Sequence, residues 1–214
     1  MTPAPESDRV RPYADAPRVP EGDRIDPREL LGVGAKPVEL ELGPGRGGFA
    51  FERLATDPDL CLLGLEIRRK WATIVDRRLV ASEFKGRARV FAEDARDVLP
   101  RFVEGSISRV FVHFPDPWWK KRHQKRLLVG GPLLAQLVRV LCPGGELFIQ
   151  TDVEERAAGY QALCDACPGL APAPSGPRLD ENPFGARSPR ERRALSDGLP
   201  VYRLLYRRDP DYPR

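Results

Sequence analysis

The 214-residue sequence has no apolar run approaching the 18 residues that a membrane-spanning helix requires, and its first 20 residues are charged and proline-rich. Neither a membrane span nor a secretory leader is expected, and a cytoplasmic location goes with that. Histidine is scarce, with only His113 and His123, and there are four cysteines. Cys61 and Cys142 sit in apolar surroundings and read as core. Cys164 and Cys167 form a C-x-x-C, but no second Cys or His pair supplies the other ligands of a zinc site. No metal is expected, and the thiols read as buried groups of a reducing compartment. Hydrophobic residues make up 41% and charged residues 31%, a mix that excludes a fully disordered chain and suits one domain of ordinary size, as a monomer or homodimer.

The formal net charge is only +4, but it is unevenly spread. Residues 119–127 carry Lys120, Lys121, Arg122, Lys125 and Arg126 and no acid. Residues 186–208 carry seven arginines against Glu191 and Asp197. Two basic segments on an otherwise acidic chain point to a polyanionic partner.

Prolines set the boundaries: seven of the 23 fall in residues 1–37 and six in residues 168–189. Residues 1–24 read as a flexible or loosely packed arm, residues 25–214 as one domain, and residues 168–198 as a long loop region on its substrate side. Between them, apolar strands alternate with short helices. Strands are expected at 38–42, 61–67, 88–92, 109–114 and 146–151. Helices are expected at 49–55, 69–84, 95–101, 132–141 and 153–167. Residues 199–208 should add an antiparallel edge strand. The pattern is that of an α/β, doubly wound, mostly parallel sheet with helices on both faces.

In such a sheet, ligands bind beyond the carboxyl ends of the strands. There the first strand runs into E-L-G-P-G-R-G-G (41–48), whose glycines allow a tight turn and close approach to a ligand. The letters satisfy G-x-G-x-x-G, so a dinucleotide is one reading, although the chain is short for a second, substrate-binding domain. Glu66 ends the second strand, where a carboxylate can accept both hydroxyls of a ribose. Asp94 follows the third, within reach of an adenine edge. Glu41 would repel a pyrophosphate but suits the cationic amino-acid end of S-adenosylmethionine. Each acid alone is an ordinary strand-end residue; together they point to a nucleoside site.

The fourth strand leads directly into F-P-D-P-W-W-K-K-R-H-Q-K-R (114–126). The prolines restrict the backbone on either side of Asp116, and the cations follow within reach of phosphates. This segment, with E-L-G-P-G-R-G (41–47), G-L-E (64–66), D-A (94–95) and T-D-V-E (151–154), resembles the bacterial tRNA (guanine-N7)-methyltransferase family from about residue 37 to 166. The resemblance implies a seven-stranded Rossmann-like methyltransferase sheet, S-adenosylmethionine as cofactor and tRNA as partner, with methylation at N7 of the variable-loop guanine 46. It implies Asp116 as the catalytic residue and Glu41, Gly43, Gly45, Gly47, Glu66, Asp94 and Asp116 as cofactor contacts. Lys120, Asp152, Ser188, Arg190 and Glu191 would bind substrate. Lys121, Arg122, His123, Lys125 and Arg126 would bind RNA, with Trp118 as a stacking face. His113, inside a strand, reads as a packed residue.

The sequence departs from the family near its end. S-P-R-E (188–191) stands where the family has T-x-[FY]-E, so Arg190 replaces an aromatic residue, and the usual G-H-G-V-W-D-L ending is missing. A different RNA or small-molecule substrate, or an RNA-binding protein without the chemistry, are the alternatives.

Overall fold

A computed structural model describes residues 13–115 and 128–213. In chain order its elements are α1 (Pro27–Leu31), β1 (Val38–Leu42), α2 (Gly48–Ala55), β2 (Cys61–Leu65), α3 (Arg69–Val80), β3 (Ala88–Phe91) and α4 (Ala95–Val98). They continue with β4 (Ile107–His113), α5 (Gly131–Val140), β5 (Leu141–Thr151), α6 (Glu154–Asp165), β6 (Leu170–Pro172), β7 (Arg178–Leu179), α7 (Pro189–Ser196) and β8 (Tyr202–Arg208). The strands form one sheet in the order β3-β2-β1-β4-β5-β8-β6, with β7 also paired to β8. Neighbours among β1 to β5 run parallel, and β8 runs antiparallel to β5, β6 and β7. The α/β, doubly wound architecture is as the alternation predicts; the two-residue β7 raises the strand count to eight.

Strand burial explains the sequence pattern. Every residue of β1 and β2 is buried, because helices cover both faces. On one side Leu40, Leu42, Leu63 and Leu65 meet Leu134 and Leu137 of α5 and Tyr160 of α6. On the other, Phe111 and Phe148 meet Phe49 of α2, while Leu62 and Val90 meet Val75 of α3.

That second face is organised in three rows across the strands. The lowest is a charge ladder in which Glu39, Arg109, Glu146 and Arg207 are register neighbours on β1, β4, β5 and β8. Arg109 Nε donates to Glu146 at 2.8 Å, and Arg207 donates to the same carboxylate at 3.0 Å. Slipping any strand by one residue would turn these charges to the opposite, apolar face. The middle row is Glu41, Phe111, Phe148 and Leu205, and the upper row is His113, Gln150 and Arg203.

Three expectations change. First, β8 is interior, because residues 168–186 supply β6 and β7 on its outer side instead of a plain loop. Pro172 is tolerated there because β6 is the edge strand. Second, residues 189–196 are helical. Ser188 is the N-cap of α7, accepting from the Glu191 amide at 3.1 Å, and Pro189 takes the first turn. Third, the carboxyl-terminal half of the expected arm is packed. Ala16 and Val19 are buried, Ala92 N donates to Pro17 O at 2.7 Å, and Val19 N donates to Glu93 at 3.1 Å. This segment therefore walls the carboxyl edge of β3.

Candidate active site

The glycine loop after β1 is clamped from beneath and from the side. Gly43 N donates to Leu65 O at 2.9 Å, Gly47 N to Pro44 O at 2.8 Å, and Gly45 N to the Glu66 carboxylate at 2.9 Å. Gly47, at φ 78°, caps α2, and a Cβ there would lie 2.6 Å from Val75 Cγ1, so both conformation and space demand glycine. The loop thus presents backbone rather than side chains to the space above β1 and β2.

The structure brings Glu41, Glu66 and Asp94 to the carboxyl ends of three neighbouring strands, as the sequence predicts. Their surroundings differ sharply. Glu66 accepts from Gly45 N, from Arg68 N at 2.9 Å and from Arg68 Nε at 3.0 Å. Asp94 is the N-cap of α4 and accepts from Arg96 N at 2.9 Å and Arg96 Nε at 3.0 Å; the Arg96 guanidinium holds its carboxyl below the usual range. Glu41 is 2% exposed, and its buried Oε2 has no hydrogen-bond partner among the described residues. Burial, with Glu66 nearby, pushes the Glu41 carboxyl up to about 8.

The E-x-R and D-x-R spacings at 66/68 and 94/96 are a sequence signal that the motif reading misses. They give two strand-end acids an arginine counter-ion in the free protein. A second missed feature is Ile67, which is 65% exposed and sets an apolar face beside Glu66. These features fit a nucleoside with a cationic tail. Glu66 offers acceptors for hydroxyls, Ile67 offers an apolar surface, and the orphaned Glu41 oxygen awaits a cation.

At the end of β4, His113 Nδ1 lies 2.8 Å from Gln150 Oε1, and its ring centroid is 4.2 Å from that of Phe49. Burial pushes the imidazole down to about 4, so it is neutral at physiological pH; it is the packed residue expected. Phe114 follows in the left-handed region, at φ 48°, with its amide donating to Gln150 O at 2.8 Å. A non-glycine residue held there costs on the order of 1–3 kcal/mol, and such strain gathers at functional corners. Asp116, Trp118, Lys120, Lys121, Arg122, His123, Lys125 and Arg126 lie outside the described residues.

Of the remaining substrate residues, only Asp152 and Arg190 face outward, and they are paired with each other. Glu191 is fully buried: Arg203 donates to its Oε1 at 3.0 Å and Asn182 to its Oε2 at 2.9 Å. Ser188 is buried and spends its hydroxyl on the α7 cap. Both were expected to meet substrate; in the free protein they hold α7 in place, because a buried carboxylate must be paired. The second basic segment also divides. Arg203 and Arg208 of β8 are buried on Glu191 and on Leu141 O, whereas Arg207, Arg187 and the arginines of α7 are exposed.

Cys164 is buried, which pushes its thiol up to about 12, and all four cysteines are free. Among the described residues, no group of three His, Cys, Asp or Glu side chains could hold a metal ion, and no helix is long and apolar enough to cross a membrane.

Comparison with known proteins bears on the family and the fold. The family model described as "Putative methyltransferase" matches residues 35–204. The chain is 36% identical over 168 residues to a tRNA (guanine-N(7)-)-methyltransferase of Myxococcus xanthus (strain DK1622), covering 78% of this chain and 81% of the relative. It is 39% identical over 180 residues to the protein of that name from Anaeromyxobacter dehalogenans (strain 2CP-C), covering 84% and 89%. Among solved structures, the 16S rRNA methyltransferase KamB aligns at TM-score 0.61 and 18% identity, over 91% of this chain and 98% of that one. The aminoglycoside resistance methyltransferase NpmB1 aligns at 0.55 and 20%, over 84% and 91%. These structures share the fold, and the sequence relatives are more than a third identical over most of both chains: the chain belongs to the tRNA (guanine-N7)-methyltransferase family.

Proposed function

We propose that this protein transfers a methyl group from S-adenosylmethionine to N7 of a guanine in tRNA, at the variable-loop guanine (position 46). The observation that carries the reading is the buried Glu41 oxygen, near Glu66 and without a partner among the described residues, at the strand end that leads into the glycine loop. S-adenosylmethionine supplies an electrophilic methyl group on a sulfonium. Glu41 would hold its ammonium end, Glu66 its ribose hydroxyls and Asp94 its adenine edge, with the amides of Gly43, Gly45 and Gly47 lining the approach.

Guanine N7 presents a lone pair without deprotonation, so no general base is required. The chain's task is to place N7 in line with the methyl group and to stabilise the positive charge that develops on the ring. Asp116 suits that role as a carboxylate that stands between two prolines in the sequence. Asp152 can accept from the guanine N1–H and N2–H donors, a pattern that adenine lacks at N1. Trp118 would stack on the base once it is turned out of the RNA. The cations at 120–126 and the outward arginines of α7 would hold backbone phosphates.

The test is methyl transfer to unmodified tRNA transcripts, followed by borohydride and aniline cleavage at 7-methylguanosine. A cut at position 46 is expected, and none in Asp116→Ala, which should still bind S-adenosylmethionine by calorimetry. Failure to bind the cofactor would leave only the RNA-binding reading. Binding without tRNA methylation would point to another substrate.

A further inference from the structure

Helix α7 is held on the domain by the buried Ser188 and Glu191 and by ion pairs at the surface. A Cβ on Gly48 would lie 2.4 Å from Pro189 Cγ, so the proline ring rests directly on the start of α2. Ser188 caps the helix, and Glu191 is locked between Arg203 and Asn182. Arg192 and the Arg187 amide are tied to Glu52. Arg190, like Arg192, has a side chain that is 48% exposed, and its guanidinium pairs with Asp152 just after β5, a carboxylate among the expected substrate contacts. A surface ion pair of this kind contributes little to stability and exchanges readily. A phosphate offers the guanidinium an equivalent, more highly charged partner.

The pair has a consequence for the base. While Arg190 occupies the Asp152 carboxylate, the N–H donors of a guanine compete with a guanidinium for the same oxygens. We propose that Arg190 is an exchangeable partner: it covers Asp152 in the free protein and moves to a backbone phosphate when RNA docks, so that the carboxylate is uncovered only for a base that arrives on a polynucleotide. This rests on the reading that RNA is the substrate. It makes Arg190 a specificity-determining residue that favours a base carried on RNA over free guanine or guanosine, which bring no phosphate.

The test is binding of a fluorescent tRNA transcript whose position-46 guanine is replaced by adenine, measured by anisotropy over a range of KCl concentrations. The adenine removes the base contact and leaves the exchange. Arg190→Gln should weaken binding and lower the slope of log affinity against log salt by about 1, and Arg190→Lys should restore the slope. Asp152→Asn should tighten binding by up to about five-fold, since it frees Arg190 for phosphate. In the Arg190→Gln background, Asp152→Asn should have no effect. Equal tightening in both backgrounds would mean a general loss of negative charge and would overturn the exchange. An unchanged slope in Arg190→Gln, a variant at an exposed position, would overturn it independently of Asp152. Absence of salt-dependent tRNA binding by the unmodified protein would overturn the RNA reading itself, and the exchange with it.

Discussion

The Gly45 amide donates to the Glu66 carboxylate at 2.9 Å, tying the glycine loop of β1 to the end of β2. The same carboxylate accepts from Arg68, so one side chain shapes the loop and presents acceptors above it. Glu66→Gln should lower S-adenosylmethionine affinity ten-fold or more, about the value of one or two hydrogen bonds to a charged group. Calorimetry checks this, and an unchanged affinity would remove Glu66 from the cofactor site.

Glu41 should make cofactor binding depend on pH. Its carboxyl is pushed up to about 8 by burial and by Glu66, so near pH 7 it is largely protonated in the free protein. A cationic ligand favours the ionised form, so affinity should rise with pH toward about 8 and then level off, with a proton released on binding at pH 7. Calorimetry in buffers of different ionisation enthalpy measures that proton, and Glu41→Gln should abolish its release. The stability sign is the reverse of the usual carboxylate case. A folded value above the unfolded one means stability falls as pH rises from about 4.5 to about 8. Glu41→Gln should therefore gain on the unmodified protein over that window.

His113 should be visible in acid unfolding rather than in the rate profile. Burial pushes it down to about 4, against the smaller opposing effects of Gln150 and Glu191. The unfolded chain takes up a proton below pH 6.5 that the folded one refuses, so stability should fall as pH drops from 6.5 toward 4. The slope from this group is at most about 1.4 kcal/mol per pH unit. Denaturant titrations of His113→Asn should show a flatter dependence across that range.

Glu191→Ala should act on stability first. It strips the partner from Arg203, itself only 7% exposed, and breaking a buried pair on one side costs about 3–5 kcal/mol. Unfolding in urea would register the loss directly. Full stability with loss of tRNA methylation alone would return Glu191 to the substrate-contacting role that the motif suggests.

Much of the site is legible in the sequence because it is local. The glycine loop, Glu66 and Asp94 each follow a short apolar run, and strands β1 to β4 fall within a few residues of where those runs predict them. The carboxyl-terminal third is less legible because its structure depends on non-local pairing. Nothing near residues 170–179 announces two strands; they form because β8 offers them an open edge. S-P-R-E stands where the family marker is expected and also reads as the amino-terminal cap of a helix. Only the packing of Glu191 against Arg203 separates a substrate contact from an anchor.

The two acids of β1 draw the line most clearly. The alternating V-E-L-E-L, ahead of a glycine loop, determines by itself that Glu39 and Glu41 face the same side of a buried strand at the edge of a ligand site. The sequence treats them alike. Tertiary structure makes them different, because Arg53 from α2 and Arg109 from β4 reach Glu39, whereas Glu41 is level with Phe111 and Phe148. The first becomes a neutralised rung of the charge ladder. The second is left buried and without a partner among the described residues, since a carboxylate's character is set by the charges that distant segments bring within a few ångströms.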